Sequence, residues 1–178
     1  MRAGGEWLES VRMPRILYVV ELVLAYNLAF NIYKFSTLSY GLDLSTFSSS
    51  VKYLYILTST VLSSEMTILT MVRLSSAHRR FWRLAVKTMI IQSFIVLLNG
   101  IVFGNWASNP LIQSEIPLIF VYILCIVILF LPKVRRFYTP PMVRTPEIKR
   151  WIPFIAIDRT KEHRHRYIFE YDKEKTDP

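Results

Sequence analysis

The chain has 178 residues, enough for one ordinary domain, and carries a formal net charge of +9 at pH 7. In a soluble protein, such a charge would suggest a nucleic-acid partner. Here the Lys and Arg residues flank long apolar runs, and neither a zinc-knuckle spacing nor an RNA-binding aromatic motif occurs. The charge pattern therefore argues against nucleic acid and indicates lipid headgroups as the partners of the basic residues. The single cysteine, Cys125, excludes an intramolecular disulfide.

Four apolar segments lie between the charged blocks. Each approaches the ~20 residues that a helix needs to cross ~30 Å of hydrocarbon. The segments cover residues 16–35, 51–74, 81–103 and 116–131. The fourth has no polar stripe, which a helix of a soluble bundle would need on its outer face. The sequence therefore predicts an all-α, polytopic membrane protein, an antiparallel bundle of four transmembrane helices joined by short loops.

The ends of the first and fourth segments carry local signals. The first segment runs into Lys34 without a small-residue cleavage site, so we expect an uncleaved signal anchor. Ser114 and Pro117 predict an N-cap and first turn for the fourth helix. Pro132 predicts that this helix ends or kinks there.

The parts outside the bundle are an N-terminal arm, residues 1–15, and a C-terminal tail, residues 133–178. The tail is too polar to span a membrane, and its prolines indicate an extended linker. Two short apolar runs, residues 151–157 and 167–171, leave three alternatives open. They are a small β-hairpin, a segment bound at the membrane interface, and a disordered tail.

Basic residues are enriched in alternate segments along the chain, which predicts the orientation of the bundle. The enriched segments are the N-terminal arm, the second loop and the start of the tail, with Arg12, Arg15, Arg73, Arg79, Arg80, Arg83, Lys133, Arg135 and Arg136. The third loop, residues 104–115, has no Lys or Arg. By the positive-inside rule, both termini are expected on the cytoplasmic side, or on the equivalent positive side of an organelle membrane.

Three ionisable residues fall inside the predicted spans: Glu21, Glu65 and Lys87. Such groups cost ~2.5–3.5 kcal/mol at mid-helix on insertion scales, so each is a candidate functional residue. The predicted topology places all three in the cytoplasmic leaflet, where an intramembrane charge cluster could form. Three interpretations stay open: a structural role in which Lys87 reaches the headgroups and the glutamates pair, coupling of transport to protons or ions, and contact with a charge of a partner subunit.

Uncharged polar residues mark the helix faces that are expected to pack against one another. A hydroxyl stripe runs along the second helix and comprises Thr60, Ser63, Ser64, Thr67 and Thr70, with Glu65 turned roughly opposite. Intramembrane amides occur in the first and third helices, at Asn27, Asn31, Gln92 and Asn99. Small hydroxyl and amide side chains bond across helix contacts, so packing is their predicted role. The alternative is a hydrated cavity lined by Asn31, Gln92, Asn99 and Thr58.

Catalytic chemistry has no signature in this chain. No Walker loop, dinucleotide-binding glycine motif, zincin motif or GxSxG elbow occurs. The histidines, His78, His163 and His165, all lie outside the predicted spans, which argues against intramembrane haem ligation. We therefore expect no catalytic residue, no cofactor and no metal ion.

These sequence features suggest two functions. The first is a non-catalytic subunit or scaffold of a larger membrane complex, whose partners are the lipid bilayer and other membrane proteins or further copies of the chain. The alternative is a small oligomeric transporter or channel that uses Glu21 or Glu65 for proton or ion coupling. Four helices with a glutamate in the first resemble, in outline, the small multidrug-resistance exporters. The resemblance covers the helix count and Glu21 alone; the tail, Glu65 and Lys87 depart from it.

Overall fold

The computed structural model describes residues 13–40, 46–103, 110–139, 145 and 147–156. Within these residues the chain is helical, and no β-strand occurs. This part of the chain forms four long helices and two short ones: α1 (Leu17–Tyr40), α2 (Phe47–Leu74), α3 (Arg79–Val102), α4 (Pro110–Phe130), α5 (Pro132–Phe137) and α6 (Ile148–Ala156). The predicted all-α class is confirmed over the described residues.

Three helices, α2, α3 and α4, are long and apolar enough to cross a membrane. Their outer faces carry exposed aliphatic and aromatic side chains such as Val72, Ile101 and Phe120. A helix suits this environment because its backbone groups bond within the segment and need no water. By length and composition, the protein is therefore a membrane-spanning helical protein. With 24 residues, α1 is also long enough, but it is not among these three helices.

The long helices form a ring of neighbours, in which α1 packs on α2, α2 on α3, α3 on α4, and α4 on α1. Adjacent helices run in opposite directions. For example, Asn27 bonds to Thr67 while Asn31 bonds to Ser63, so positions rise along α1 as they fall along α2. The turn between α2 and α3, the start of α1 and the end of α4 therefore lie together. We call this the turn end of the bundle.

Side chains of the flanking residues cap the first turns of α2 and α3. The Thr46 hydroxyl accepts a hydrogen bond from the Ser49 amide, and His78 Nδ1 accepts one from the Arg80 amide. These bonds satisfy amides that have no partner within the helix. The loop histidine singled out in the sequence thus caps the start of a helix and has a structural role here.

The start of the fourth helix differs from the prediction. We expected residue 116, with Ser114 as the N-cap, whereas α4 begins at Pro110. Proline is favoured in the first helical turn, and no helix breaker follows it before Pro117. The polar residues that suggested a loop are therefore helical. In consequence, Glu115 lies within α4 and is buried.

The end of α4 follows the prediction for Pro132, which breaks the helix and becomes the first residue of α5. Because α4 ends at Phe130, the carbonyls of its last turn have no continuing helix to donate to them. The Trp82 indole donates to the Leu129 carbonyl at 2.8 Å, and Arg135 Nε donates to the Phe130 carbonyl at 3.0 Å. Side chains thus replace the missing backbone bonds at this break.

The tail begins with a helix, although an extended linker was expected for its first part; the prolines that indicated the linker, Pro140, Pro141 and Pro146, lie outside the described residues. α5 covers residues 132–137, and α6 occupies most of the 151–157 run, for which a hairpin was one alternative. Trp151 and Phe154 are three residues apart, so they share one face of α6, and both are buried. That buried face explains the helix. The second apolar run, residues 167–171, lies outside the described residues, as do His163, His165 and the N-terminal arm up to residue 12.

Tyr138 ties α5 to α2. Its hydroxyl donates to the Leu74 carbonyl at 2.7 Å, at the last residue of α2, and the side chain is buried. Burial raises the pKa of the Tyr138 hydroxyl, so the group stays protonated and remains a donor across the physiological range. This bond satisfies a carbonyl that the helix itself leaves open.

Replacing Tyr138 with phenylalanine should destabilise the protein by about 1 kcal/mol, because the Leu74 carbonyl loses its buried donor. The free energy of unfolding in mild detergent would measure the loss. Tyr18→Phe is the matched control, since the Tyr18 ring is exposed. Equal stability of the two variants would show that the Tyr138 hydroxyl contributes nothing to the docking of α5.

Candidate functional site: a buried ion pair and polar network

The interior of the bundle holds an ion pair between α1 and α4. Lys34 Nζ lies 2.7 Å from Glu115 Oε1, and the two side chains are 6% and 1% exposed. Removing two charges from water costs several kcal/mol per ion, which their attraction offsets only with close geometry and further hydrogen bonds. The pair is therefore stable only as a unit.

Two further residues complete the surroundings of the glutamate. Asn99 Nδ2 donates to Glu115 Oε2 at 2.7 Å, and the Tyr55 hydroxyl donates to Asn99 Oδ1 at 2.9 Å. Lys34, Tyr55, Asn99 and Glu115 come from α1, α2, α3 and α4 in turn, so each long helix contributes one member. We call these four residues the ion-pair site. It fixes the mutual position of all four helices.

A second polar group lies closer to the middle of the bundle, centred on Gln92. Ser63 Oγ donates to Gln92 Oε1 at 2.7 Å, and Gln92 Nε2 donates to the Ser63 carbonyl and to Thr67 Oγ1, both at 3.1 Å. Asn31 Nδ2 donates to Ser63 Oγ. The Gln92 amide thus joins α3 to α2, and Ser63 extends the contact to α1.

The same group reaches α4 through Asn27. Its Nδ2 donates to Thr67 Oγ1 at 3.2 Å, and its Oδ1 accepts from the Tyr122 hydroxyl at 2.7 Å. We call Asn27, Asn31, Ser63, Thr67, Gln92 and Tyr122 the central network. One turn further towards the turn end, the hydroxyls of Thr70 and Thr88 lie 2.7 Å apart. Polar contacts thus recur along most of the interior.

The predicted packing residues divide between this interior and its margin. All four intramembrane amides, Asn27, Asn31, Gln92 and Asn99, are buried and bonded across helices. In the hydroxyl stripe, Ser63, Thr67 and Thr70 are buried, while Thr60 and Ser64 are half-buried. Thr60 Oγ1 is buried without a hydrogen-bond partner among the described residues. This placement fits a role in helix packing.

The three ionisable residues singled out in the sequence do not meet. Within the described part of the chain, no ion pair joins Glu21, Glu65 and Lys87. Glu65 is exposed on the outer face of α2, and Glu21 and Lys87 are half-buried. The buried charges are Lys34 and Glu115, which the sequence pattern had assigned to the edge of a span and to a loop.

A sequence signal for these two residues does exist. Asn27, Asn31 and Lys34 are spaced i, i+4 and i+7, which puts them on one face of a helix. A polar face that ends in a lysine predicts a carboxylate opposite it. Starting the fourth helix at Pro110 would have made Glu115 that carboxylate. For Tyr55 and Tyr122, the surrounding sequence does not distinguish a tyrosine buried in the bundle from a tyrosine in the aromatic belt at the membrane interface.

The basic residues that predicted the topology gather at the turn end. The described members are Arg15, Arg73, Arg79, Arg80, Arg83, Lys133, Arg135 and Arg136. Several contact aromatic rings: the guanidinium carbon of Arg73 lies 5.4 Å from the centre of Phe81, and that of Arg79 lies 4.8 Å from the Trp151 ring. Arg12 lies outside the described residues.

The polar contacts of this interior join the four long helices to one another. The described residues contain no group of three or more His, Cys, Asp or Glu side chains that could hold a metal ion. Between Tyr55 and Glu115 the connection runs through the amide of Asn99, which does not titrate and so does not relay a proton. The site is suited to fixing four helices in place.

No protein-family model matches the chain, and no curated protein and no solved structure match it either. The residues of the chain itself are thus the guide to its function.

Replacing either Glu115 by glutamine or Lys34 by methionine should destabilise the bundle by ~3–5 kcal/mol, because each change leaves one buried charge without its partner. The double variant K34M/E115Q should lose much less than the sum of the two single losses, since no charge is left buried. Unfolding in detergent micelles, read as a double-mutant cycle, measures the difference.

Lys133→Met, at an exposed position outside the long helices, is the control for the loss of a lysine. Additive losses in the cycle, or single variants as stable as the parent, would show that the ion pair does not hold α1 to α4.

Proposed function

We propose that the chain is a non-catalytic subunit of a larger membrane complex, and that it docks through the outer face of α2. The observation that supports this is the position of Glu65, an exposed carboxylate in a helix apolar enough to span the membrane. Five exposed aliphatic side chains surround it at helical spacing: Val61, Leu62, Ile68, Leu69 and Val72. A surface of this kind faces lipid or another helix.

Glu65 is unusual for its location. Ionisable side chains within membrane spans face the interior of the bundle or a water-filled cavity, and they pair with one another or with backbone carbonyls. Within the described chain Glu65 has no ion-pair partner. A helix of another subunit that carries Lys, Arg or a hydrogen-bond donor at this depth would supply one.

The interior supports the non-catalytic part of the proposal. The amides of the central network bond to side chains of neighbouring helices, and the Glu115 carboxylate is taken up by Lys34 and Asn99. Groups that bond one another in this way are not free to bind a substrate. Glu65 lies outside this network, on the exposed face of α2.

The proposal includes a fourth span and an orientation. α1 closes the ring between α2 and α4, and its polar residues, Asn27, Asn31 and Lys34, are bonded inside the bundle instead of facing lipid. Burial of this kind makes a helix that carries amide and lysine side chains tolerable in a membrane. By the positive-inside rule, the basic residues at the turn end support a cytoplasmic location for that end and for both termini.

Labelling from the two sides of the membrane tests the topology. In a Cys125→Ser background, Ala77→Cys in the α2–α3 turn should react with an impermeant maleimide only from the cytoplasmic side. Ser48→Cys, near the start of α2, should react only from the opposite side. Both positions are exposed. Reaction of both cysteines from the same side would overturn the four-span arrangement.

Gentle detergent extraction tests the docking surface. The tagged parent should co-purify with a membrane protein that has a cation or donor within a span, and Glu65→Gln should reduce its recovery about tenfold or more, as loss of a buried charge pair does. Glu147→Gln, at an exposed carboxylate outside the long helices, is the matched control and should change nothing. Because Glu65 has no ion-pair partner within the described chain, its replacement should leave the unfolding temperature of the isolated protein unchanged. A parent that elutes as a monomer or homodimer without a partner would contradict the proposal.

A second candidate is a transporter or channel, which the buried Lys34–Glu115 pair favours because intramembrane charges often mark ion pathways. Proteoliposomes loaded with a pH-sensitive dye separate the two functions. A proton-coupled transporter dissipates an imposed pH gradient faster than empty liposomes do, and loses this activity in Glu115→Gln. The non-catalytic subunit shows no flux above the liposome background.

A further inference from the structure

The helix α6 has two faces of different character. Trp151 and Phe154 are buried against the bundle, whereas Ile148 and Ile152 are exposed, with 47% and 55% of their surface accessible. At ~100° per residue, Lys149 lies beside the two isoleucines on the helix surface, and it is also exposed. The free face thus combines two large apolar side chains with a lysine.

Contacts with α3 hold α6 at one level of the bundle. Arg83 Nε donates to the Ile155 carbonyl at 3.1 Å, and the same guanidinium donates to the Ala156 carbonyl at 3.3 Å. These are carbonyls of the last turn of α6, where a cation also complements the helix dipole. The arginine therefore anchors the C-terminal end of α6.

Aromatic contacts fix the rest of α6. The Trp151 ring packs edge-on against Trp82, with 4.6 Å between the ring centres, and Trp82 lies in the first turn of α3. The guanidinium of Arg79 lies over both Trp151 and Phe154, at 4.8 and 5.3 Å from the ring centres. α6 is thereby held beside the first two turns of a membrane-spanning helix, the level at which tryptophan and arginine meet lipid headgroups.

We propose that α6 lies in the membrane interface, where Ile148 and Ile152 enter the boundary between headgroups and acyl chains and Lys149 binds anionic phospholipid headgroups. A short helix with large apolar side chains on one side and basic residues beside them has the composition of interfacial helices. Arg80 and Lys133 are exposed at the same end of the bundle and add to its positive potential. Each basic residue near an anionic surface strengthens binding about fivefold.

Three features favour the lipid surface as the occupant of this face. α6 is fixed next to the end of a span, so the bilayer is adjacent to it. Its exposed isoleucines are a turn apart and cover no other part of the described chain. The charge beside them, on Lys149, is complementary to anionic headgroups and is carried on a side chain long enough to reach past the isoleucines.

Depth-dependent quenching tests the position of α6. In the Cys125→Ser background, a fluorophore is attached to Ile152→Cys or to the water-exposed control Ala77→Cys, and the protein is reconstituted in vesicles of phosphatidylcholine and phosphatidylglycerol. We expect the label at position 152 to be quenched by brominated lipids and to be less accessible to aqueous iodide than the label at position 77, because the interface shields it from water.

The choice of brominated lipid tests headgroup preference. At equal mole fraction, brominated phosphatidylglycerol should quench the label at position 152 more strongly than brominated phosphatidylcholine. Adding Lys149→Gln should reduce the local enrichment of the anionic lipid about fivefold, whereas Glu147→Gln should not. Monodisperse elution and an unchanged unfolding temperature show that each variant is folded.

Three results would contradict the proposal. Iodide access equal at positions 152 and 77 would place α6 in water. Protection from iodide without quenching by lipid would mean that protein, and not the bilayer, covers the isoleucines. Equal quenching by the two brominated lipids would show that Lys149 does not bind anionic headgroups in preference to neutral ones.

Discussion

The contact between Lys34 and Glu115 constrains the whole bundle. Two opposite charges, each at least nine-tenths buried, are tolerable only while α1 and α4 remain in contact and while Asn99 satisfies the second carboxylate oxygen. Because Asn99 is oriented in turn by Tyr55, a displacement of any one of the four long helices leaves a charge or an amide without its partner. The ion pair therefore acts more as a determinant of register than as a source of net stability.

The rest of the structure extends the same arrangement. In lipid, apolar side chains gain little by leaving the solvent, so helices associate through packing and through hydrogen bonds between them. The central network around Gln92 and the hydroxyl pair of Thr70 and Thr88 meet this requirement along the interior, while the outside stays aliphatic. Against that outside, the carboxylate of Glu65 stands out as a group whose partner is expected in another molecule.

How far the sequence predicts this structure depends on the range of the interaction concerned. Long apolar segments are local features of the sequence, so the predicted bounds of α2 and α3 lie close to the observed ones. Helical spacing alone identifies the amides that meet in the interior. Whether Glu115 belongs to a loop or to a buried site depends on Lys34, about 80 residues earlier. The polar face that ends in Lys34 predicts a carboxylate, but it identifies Glu115 only once the fourth helix is known to begin at Pro110. For the same reason Glu21, Glu65 and Lys87, which look equivalent along the chain, differ in exposure and form no ion pair with one another among the described residues.

The break between α4 and α5 carries a consequence for biogenesis. The Leu129 carbonyl, left open near Pro132, is satisfied by the indole of Trp82, which belongs to the preceding helix. In a nascent chain, the Trp82 indole can donate to this carbonyl only after α3 and α4 have packed together. The last turn of α4 therefore completes its hydrogen bonds during helix assembly and not during insertion. Until then, an exposed carbonyl marks the unfinished bundle at the point where the polypeptide leaves the hydrocarbon layer.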